Sequence, residues 1–136
     1  MNTYLHVISL EKYLFHGYIK KIHVNGYEGV LNIYPGHSPL LTMVRPSVLR
    51  IFTEFEEKKL YVSNGILEVQ PNVIYILPDE SCFLNELNYN QLIKKRNDIK
   101  NRIVHMKHGN QHILQDQLVN LKIKLKIIKK YLILHK

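Results

Sequence analysis

The chain of 136 residues holds a single cysteine, no alanine and no long apolar run. Lone Cys82 can form no internal disulfide and has no second thiol to share a zinc ion, which favours a reducing compartment. Nothing approaches the ~18 consecutive apolar residues of a membrane-spanning helix, so any membrane association is expected to run through other proteins. The N-terminal MNTYLHVISLEKYLF lacks a basic start followed by a long apolar segment, and no signal peptide is expected. A nucleophile elbow of the GxSxG kind and a glycine-rich phosphate loop are also missing. What is present is 46% hydrophobic content, enough to build a core, and a net charge of +8.

That charge is uneven. Residues 1–84 carry seven Lys and Arg against eight acids, a net of −1, whereas residues 85–136 carry twelve against three, a net of +9. An acidic partner is therefore met by the tail.

Hydrophobic period divides the chain at the same place. From Thr3 to Ile76 the apolar runs are short and alternating: 5–9, 19–24, 48–55, 59–63, 66–70 and 73–77. Turn residues at Asn25-Gly26, Glu28-Gly29, Pro35-Gly36, Glu56 to Lys59, Asn64-Gly65 and Pro71-Asn72 separate them. Short strands with no intervening helix predict an antiparallel sandwich or flattened barrel over 1–84. Beyond Glu86 the spacing becomes helical. Leu92, Ile99, Ile103 and Met106 mark a first helix, Gly109-Asn110 a turn, and Leu114, Leu118, Leu121, Leu125, Ile128 and Leu132 the stripe of a second. These predict an antiparallel helical hairpin over 85–136.

The second helix has two apolar faces, because Ile123, Ile127 and Leu134 fall opposite the leucine stripe, flanked by Lys122, Lys124, Lys126 and Lys129. The second face either lies on the β domain or is exchanged onto another subunit. Helicity is intrinsically poor: isoleucine and asparagine cost up to about 0.7 kcal/mol each relative to the absent alanine. The Lys122/Lys126 and Lys126/Lys130 pairs repel. Packing of the leucine stripe must hold the hairpin, and a hairpin held by packing can be repacked.

Three candidate chemistries are carried by the sequence. His37, in NIYPGHSPLLT, would need a nucleophile or carboxylate, and its loop offers only Ser38. The loop reads better as a rigid turn: Pro35 fixes its own φ, Gly36 permits positive φ, and Pro39 pushes Ser38 toward extended geometry. Such turns suit interfaces because they lose little entropy on binding. His105, His108 and His112 have ligand-like spacing, but Gly109 interrupts them and no carboxylate or cysteine joins them; a metal-dependent barrel using His6, His23 and His37 is the other metal reading. The alternative function is nucleic-acid binding by the basic tail. It is opposed by scarce arginine and by only two helix aromatics, Tyr89 and Tyr131.

GYEGVLNIYPGHSPLLT (26–42) and NGILEVQP (64–71), in a β domain followed by a two-helix tail, closely resemble the epsilon subunit of bacterial F-type ATP synthase. The resemblance implies a β-sandwich of about ten antiparallel strands and a helical hairpin, in a non-catalytic subunit of the central rotor stalk. It implies that the sandwich binds the gamma subunit and rests on the c-subunit ring, coupling proton-driven rotation to ATP synthesis, and that the hairpin restrains ATP hydrolysis at the beta subunits. Tyr34, Pro35, Gly36 and His37 would then face gamma, and the loop of Gly26, Tyr27, Glu28, Gly29 and Val30 the c ring, although relatives often carry an acid where Val30 stands. Lys94, Lys95, Arg96, Lys100 and Arg102 would meet an acidic segment of beta. The implied place is peripheral, on the cytoplasmic face of the bacterial inner membrane, held there by the complex. Some members bind ATP through an acid at the start of the first helix and an Arg-Ala pair three residues later. Asn88, Gln91 and Leu92 stand there instead, so no nucleotide or other cofactor is expected.

Overall fold

The computed structural model describes residues 2–106, 109 and 111–134, of the last the backbone alone. The chain divides into two compact units, Met1–Glu86 and Leu87–Lys136. The first is all β: β1 (Thr3–Ile8), β2 (Tyr13–Ile19), β3 (Lys21–Gly26), β4 (Gly29–Ile33), β5 (Leu40–Val44), β6 (Ser47–Phe52), β7 (Glu57–Val62), β8 (Gly65–Val69), β9 (Val73–Pro78) and β10 (Ser81–Phe83), closed by a 3-10 turn at Leu84–Glu86.

The strands form one ladder in the order β10-β7-β6-β3-β5-β8-β9-β1-β2, with β4 also on β3. All pairings are antiparallel except β1 with β9. The ladder's halves join through a single pair, Gly26 opposite Val44. There it turns over, giving two layers around one core that includes Leu5, Val7, Ile22, Val24, Leu49, Ile51, Leu60, Leu67, Ile74 and Ile76. Strict alternation drives this. Burial switches residue by residue along β1, β3 and β6, so each strand offers one apolar face, and two such faces must cover one another.

Each apolar run read from the sequence overlaps a strand; those at 5–9, 59–63 and 66–70 pass its end by one residue, and that at 48–55 by three. Thr53 to Phe55 belong to a turn, where the Thr53 hydroxyl accepts from the amides of Phe55 (3.3 Å) and Glu56 (3.1 Å). That local bonding outcompetes the ladder. Gly65 sits where an added Cβ would lie 2.5 Å from the Leu77 carbonyl oxygen and 2.5 Å from Pro78 Cα, so the β8–β9 contact admits only glycine.

The second unit is two helices, α1 (Tyr89–Val104) and α2 (Gln111–Leu134). Asn88 caps α1, its side-chain oxygen accepting from the Gln91 amide at 3.2 Å. Ile99, Leu121 and Leu125 are buried together, with Tyr89, Leu92, Ile93, Ile103, Leu114 and Leu118 packed around them. Met106 falls beyond the last turn of α1, and Leu132 at the end of the stripe is exposed. Gly109 has φ +125°, while Asn110 and His108 lie outside the described residues. The Gln111 side chain donates to the carbonyl of Ile103 (3.3 Å), which also accepts from the Met106 amide (3.3 Å), and to that of Met106 (3.1 Å). On the other face of α2, Ile123 is exposed and Ile127 half-buried; the side chain of Leu134 is outside the described residues.

Candidate docking surfaces

Tyr34 to His37 form a β-turn. Pro35 occupies the second position, Gly36 the third with φ 84°, and the His37 amide donates to the Tyr34 carbonyl at 3.2 Å. This is the type II pattern, which needs positive φ at its third residue. The turn is fastened to the one between β8 and β9: the Pro71 carbonyl accepts from the Gly36 amide (3.4 Å) and from the Thr3 hydroxyl (2.7 Å), and the Asn72 carbonyl accepts from the Tyr4 amide (3.0 Å). His37 Nδ1 donates to its neighbour's backbone carbonyl, Ser38 O, at 2.7 Å, not to the Ser38 hydroxyl. Tyr34 is exposed, with Lys21 Nζ 5.9 Å from its ring centre. The arrangement is a pre-shaped surface rather than an acid–base pair.

The turn of Gly26, Tyr27, Glu28 and Gly29 joins β3 to β4, with Gly26 paired to Gly29. Gly29 has φ +136°. Gly26 is buried and shapes the turn, whereas Glu28, Gly29 and Val30 are exposed. Tyr27 is tethered: its hydroxyl donates to Asn64 Oδ1 (2.6 Å), Arg45 Nη2 donates to its carbonyl (3.2 Å), and the Arg45 guanidinium lies 5.1 Å from its ring centre. The two sequence motifs thus meet at both ends of β5 and β8, through Tyr27–Asn64 at one and Gly36–Pro71 at the other. Because β4 runs from Gly29 to Ile33, the two loops lie at opposite ends of the sandwich, roughly 13 Å apart along the strand.

Among the basic residues of α1, Lys94, Lys95, Lys100 and Arg102 are exposed and Arg96 is half-buried, bonding Asn97 Oδ1 at 3.4 Å. At about 100° per residue, they do not share one stripe; Lys94 and Lys100 lie farthest from buried Ile99 and about 120° from each other.

Two surface features went unread in the sequence. On the outer face of the sheet half β5-β8-β9-β1-β2, Met43, Ile66 and Leu77 lie directly opposite one another across β5, β8 and β9, next to Leu41, and all four are exposed. Beside them, β9, β1 and β2 carry Tyr75, Tyr4, His6, His16 and Tyr18, with Tyr13 at the bulge where the register shifts. Outward tyrosine and histidine at two-residue spacing was the available signal. His6, His23 and His37 are not brought together, and among the described residues no group of three His, Cys, Asp or Glu side chains converges.

The described residues thus form a two-layer sandwich with a fastened loop at each end and an exposed apolar row, followed by a helical hairpin. The model of the family described as "ATP synthase, Delta/Epsilon chain, beta-sandwich domain" matches residues 2–83, and the chain belongs to that family. The fold also matches a chain of the Euglena gracilis mitochondrial ATP synthase, in a cryo-EM structure of OSCP, F1 and c-ring. The TM-score is 0.74 at 16% identity, covering 96% of this chain and 81% of that one. A chain from the central stalk and c-ring of the Tetrahymena thermophila mitochondrial ATP synthase matches with TM-score 0.59 and 15% identity, covering 96% of each. Family, sandwich and two-helix tail are as the two sequence motifs implied. No helix of the described residues is long and apolar enough to cross a membrane.

Proposed function

We propose that this chain is the non-catalytic epsilon subunit of an ATP synthase central stalk, coupling rotation of the c ring to ATP synthesis through gamma. The observation that carries this reading is the family match over a sandwich with a rigid loop at each end. A rotor adaptor needs two firmly placed contact ends, and here Gly36–Pro71 fastens one and Tyr27–Asn64 the other. Tyr34 to His37 and the adjoining apolar row of Leu41, Met43 and Ile66 face gamma; Glu28, Gly29 and Val30 face the c ring. The stalk and c-ring assemblies named for the two similar structures support membership of such an assembly. Membrane association is peripheral, at the cytoplasmic face of a bacterial inner membrane, through these partners.

The hairpin restrains ATP hydrolysis by meeting the beta subunits. Its net charge of +9 over residues 85–136 and the exposure of Lys94, Lys95, Lys100 and Arg102 support contact with an acidic segment. Asn88 is occupied as a neutral helix cap, which fits a tail that does not hold ATP.

The test is a sizing-column experiment with the full chain and its own gamma subunit at moderate salt. A one-to-one complex is expected; separate elution would refute the rotor reading. Removing residues 85–136 should leave that complex intact and raise hydrolysis by the reconstituted enzyme, and an unchanged rate would refute the regulatory tail.

A further inference from the structure

Strand β2 stands at one end of the ladder, and among the described residues it pairs with β1 alone. It is the longest strand, seven residues, and carries no Lys, Arg, Asp or Glu. A free strand edge is a row of unpaired amides and carbonyls, which proteins ordinarily guard with charge, proline, shortness or a bulge. At the ladder's other end, β10 is only three residues long. The one irregularity of β2 lies at its start, where the register shifts between Val7 and Ile8, and from Phe15 to Ile19 it pairs regularly.

Which backbone groups line the free edge follows from β1. The Tyr4 amide donates to the Asn72 carbonyl (3.0 Å), on the β9 side. Successive residues of a strand turn their amide and carbonyl to opposite sides, so Tyr4 and His6 serve β9 while Thr3, Leu5 and Val7 serve β2. The mutual Ser9–Lys12 backbone bonds (2.8 and 3.3 Å) keep the same alternation at the hairpin turn. Opposite Thr3, Leu5 and Val7 stand Ile19, Gly17 and Phe15, whose groups are thereby spent on β1. The amides and carbonyls of His16 and Tyr18 therefore point out from the edge, and both side chains are exposed.

These two residues flank Gly17, which makes the edge complementary to itself. With an antiparallel copy related by a two-fold axis at Gly17, His16 of each chain falls opposite Tyr18 of the other, and each such pair exchanges both its amide–carbonyl bonds. The two Gly17 residues meet at the axis, where opposed Cα atoms approach to about 4.5 Å and no side chain obstructs them. On the inner face Phe15 falls opposite Ile19, extending the apolar layer of each core. Lys20, just past the strand, falls opposite Leu14 and not opposite a second lysine, so no like charges oppose. We infer that the free chain pairs with a second copy of itself edge to edge through β2, joining two sandwiches in one continuous sheet. This does not rest on the gamma-binding reading.

Sedimentation velocity of the full chain reads the dimer Kd, over concentrations reaching the millimolar range because a single strand pair is a small interface. Wild type should pass from monomer to dimer. His16→Pro removes an outward amide, a change that an edge strand accepts. By symmetry one hydrogen bond goes on each side of the axis, and Kd should rise about tenfold or more. Gly17→Cys, in a Cys82→Ser background, should give a disulfide-linked dimer on mild oxidation, since Cα atoms at about 4.5 Å suit that bond. Phe55→Cys in the same background, exposed at the tip of the β6–β7 hairpin, should not. Should His16→Pro melt early, the linkage of Gly17→Cys decides alone. A chain that stays monomeric throughout overturns the inference and leaves the edge to a strand of some other protein. So does a dimer that folded His16→Pro does not weaken or Gly17→Cys does not link, because another surface or register then holds the copies together.

Discussion

Replacing Gly65 with alanine is the sharpest test of the β8–β9 packing. The new methyl would meet the Leu77 carbonyl oxygen and Pro78 Cα at 2.5 Å and Pro78 N at 2.8 Å. Carbon contacts relax at about 3.5–4.0 Å, so the strand ends must part by on the order of 1 Å. All three obstacles are backbone, and none can rotate away. Overpacking costs about 1–3 kcal/mol, and the top of that range applies here. The Asp79 amide to Asn64 carbonyl bond of 3.0 Å is strained alongside, adding about 1 kcal/mol. With a urea slope of about 1–3 kcal/mol/M, the unfolding midpoint should fall by roughly 1–4 M, followed by tyrosine fluorescence. Gly17→Ala is the matched comparison: its methyl would touch only the tip of the Phe15 ring at 3.4 Å, and the midpoint should barely move. Equal midpoints for the two variants would refute the claim that backbone approach makes Gly65 obligatory.

Three further outcomes follow from the structure. Leu125→Ala removes a buried side chain between the helices and should cost about 2–4 kcal/mol, seen as lost helical circular dichroism with the β unit's melt preserved. Gly36→Ala forces a side chain into φ 84° and should cost about 1 kcal/mol; a stability equal to wild type would rule out the positive-φ turn. Burial first, then Glu80 and Cys82, push the Tyr61 hydroxyl well above its ordinary range. The folded state keeps a proton that the unfolded chain releases near pH 10, so this contribution is complete below that pH and is lost as pH rises from there through the higher folded value. Phenolate absorbance should show Tyr61 ionising only as the protein unfolds.

Fold class was legible because alternation and turn chemistry agree over most of the β unit. Strands β2, β4, β5 and β10 escaped the periodic reading for physical reasons. In β2 aromatic residues occupy both faces, β4 is exposed at three of its five residues, β5 opens on two adjacent leucines that blur the alternation, and β10 is three residues long. The turn at Tyr34 to His37 was legible residue by residue, since proline and glycine carry their dihedral preferences with them. Its attachment to Pro71 was not, because no local rule brings residues 36 and 71 together. The tethering of Tyr27 by Arg45 and Asn64 was hidden for the same reason. On α1 the basic residues could be listed but not oriented until Ile99 fixed which side faces inward.

The parallel pairing of β1 with β9 bears on how the chain matures during synthesis. Thr3–Ile8 leaves the ribosome ahead of the other strands, yet one of its two neighbours, Val73–Pro78, emerges some seventy residues later. Until then a nascent chain can form the β1–β2 hairpin but must leave the other edge of β1 unpaired, an open template for neighbouring chains. Closure is a late, long-range event that sets a slow folding step. Messages cut short before residue 78 would yield products prone to aggregate, while the hairpin of residues 87–136 is added to a sandwich whose strands are already in hand.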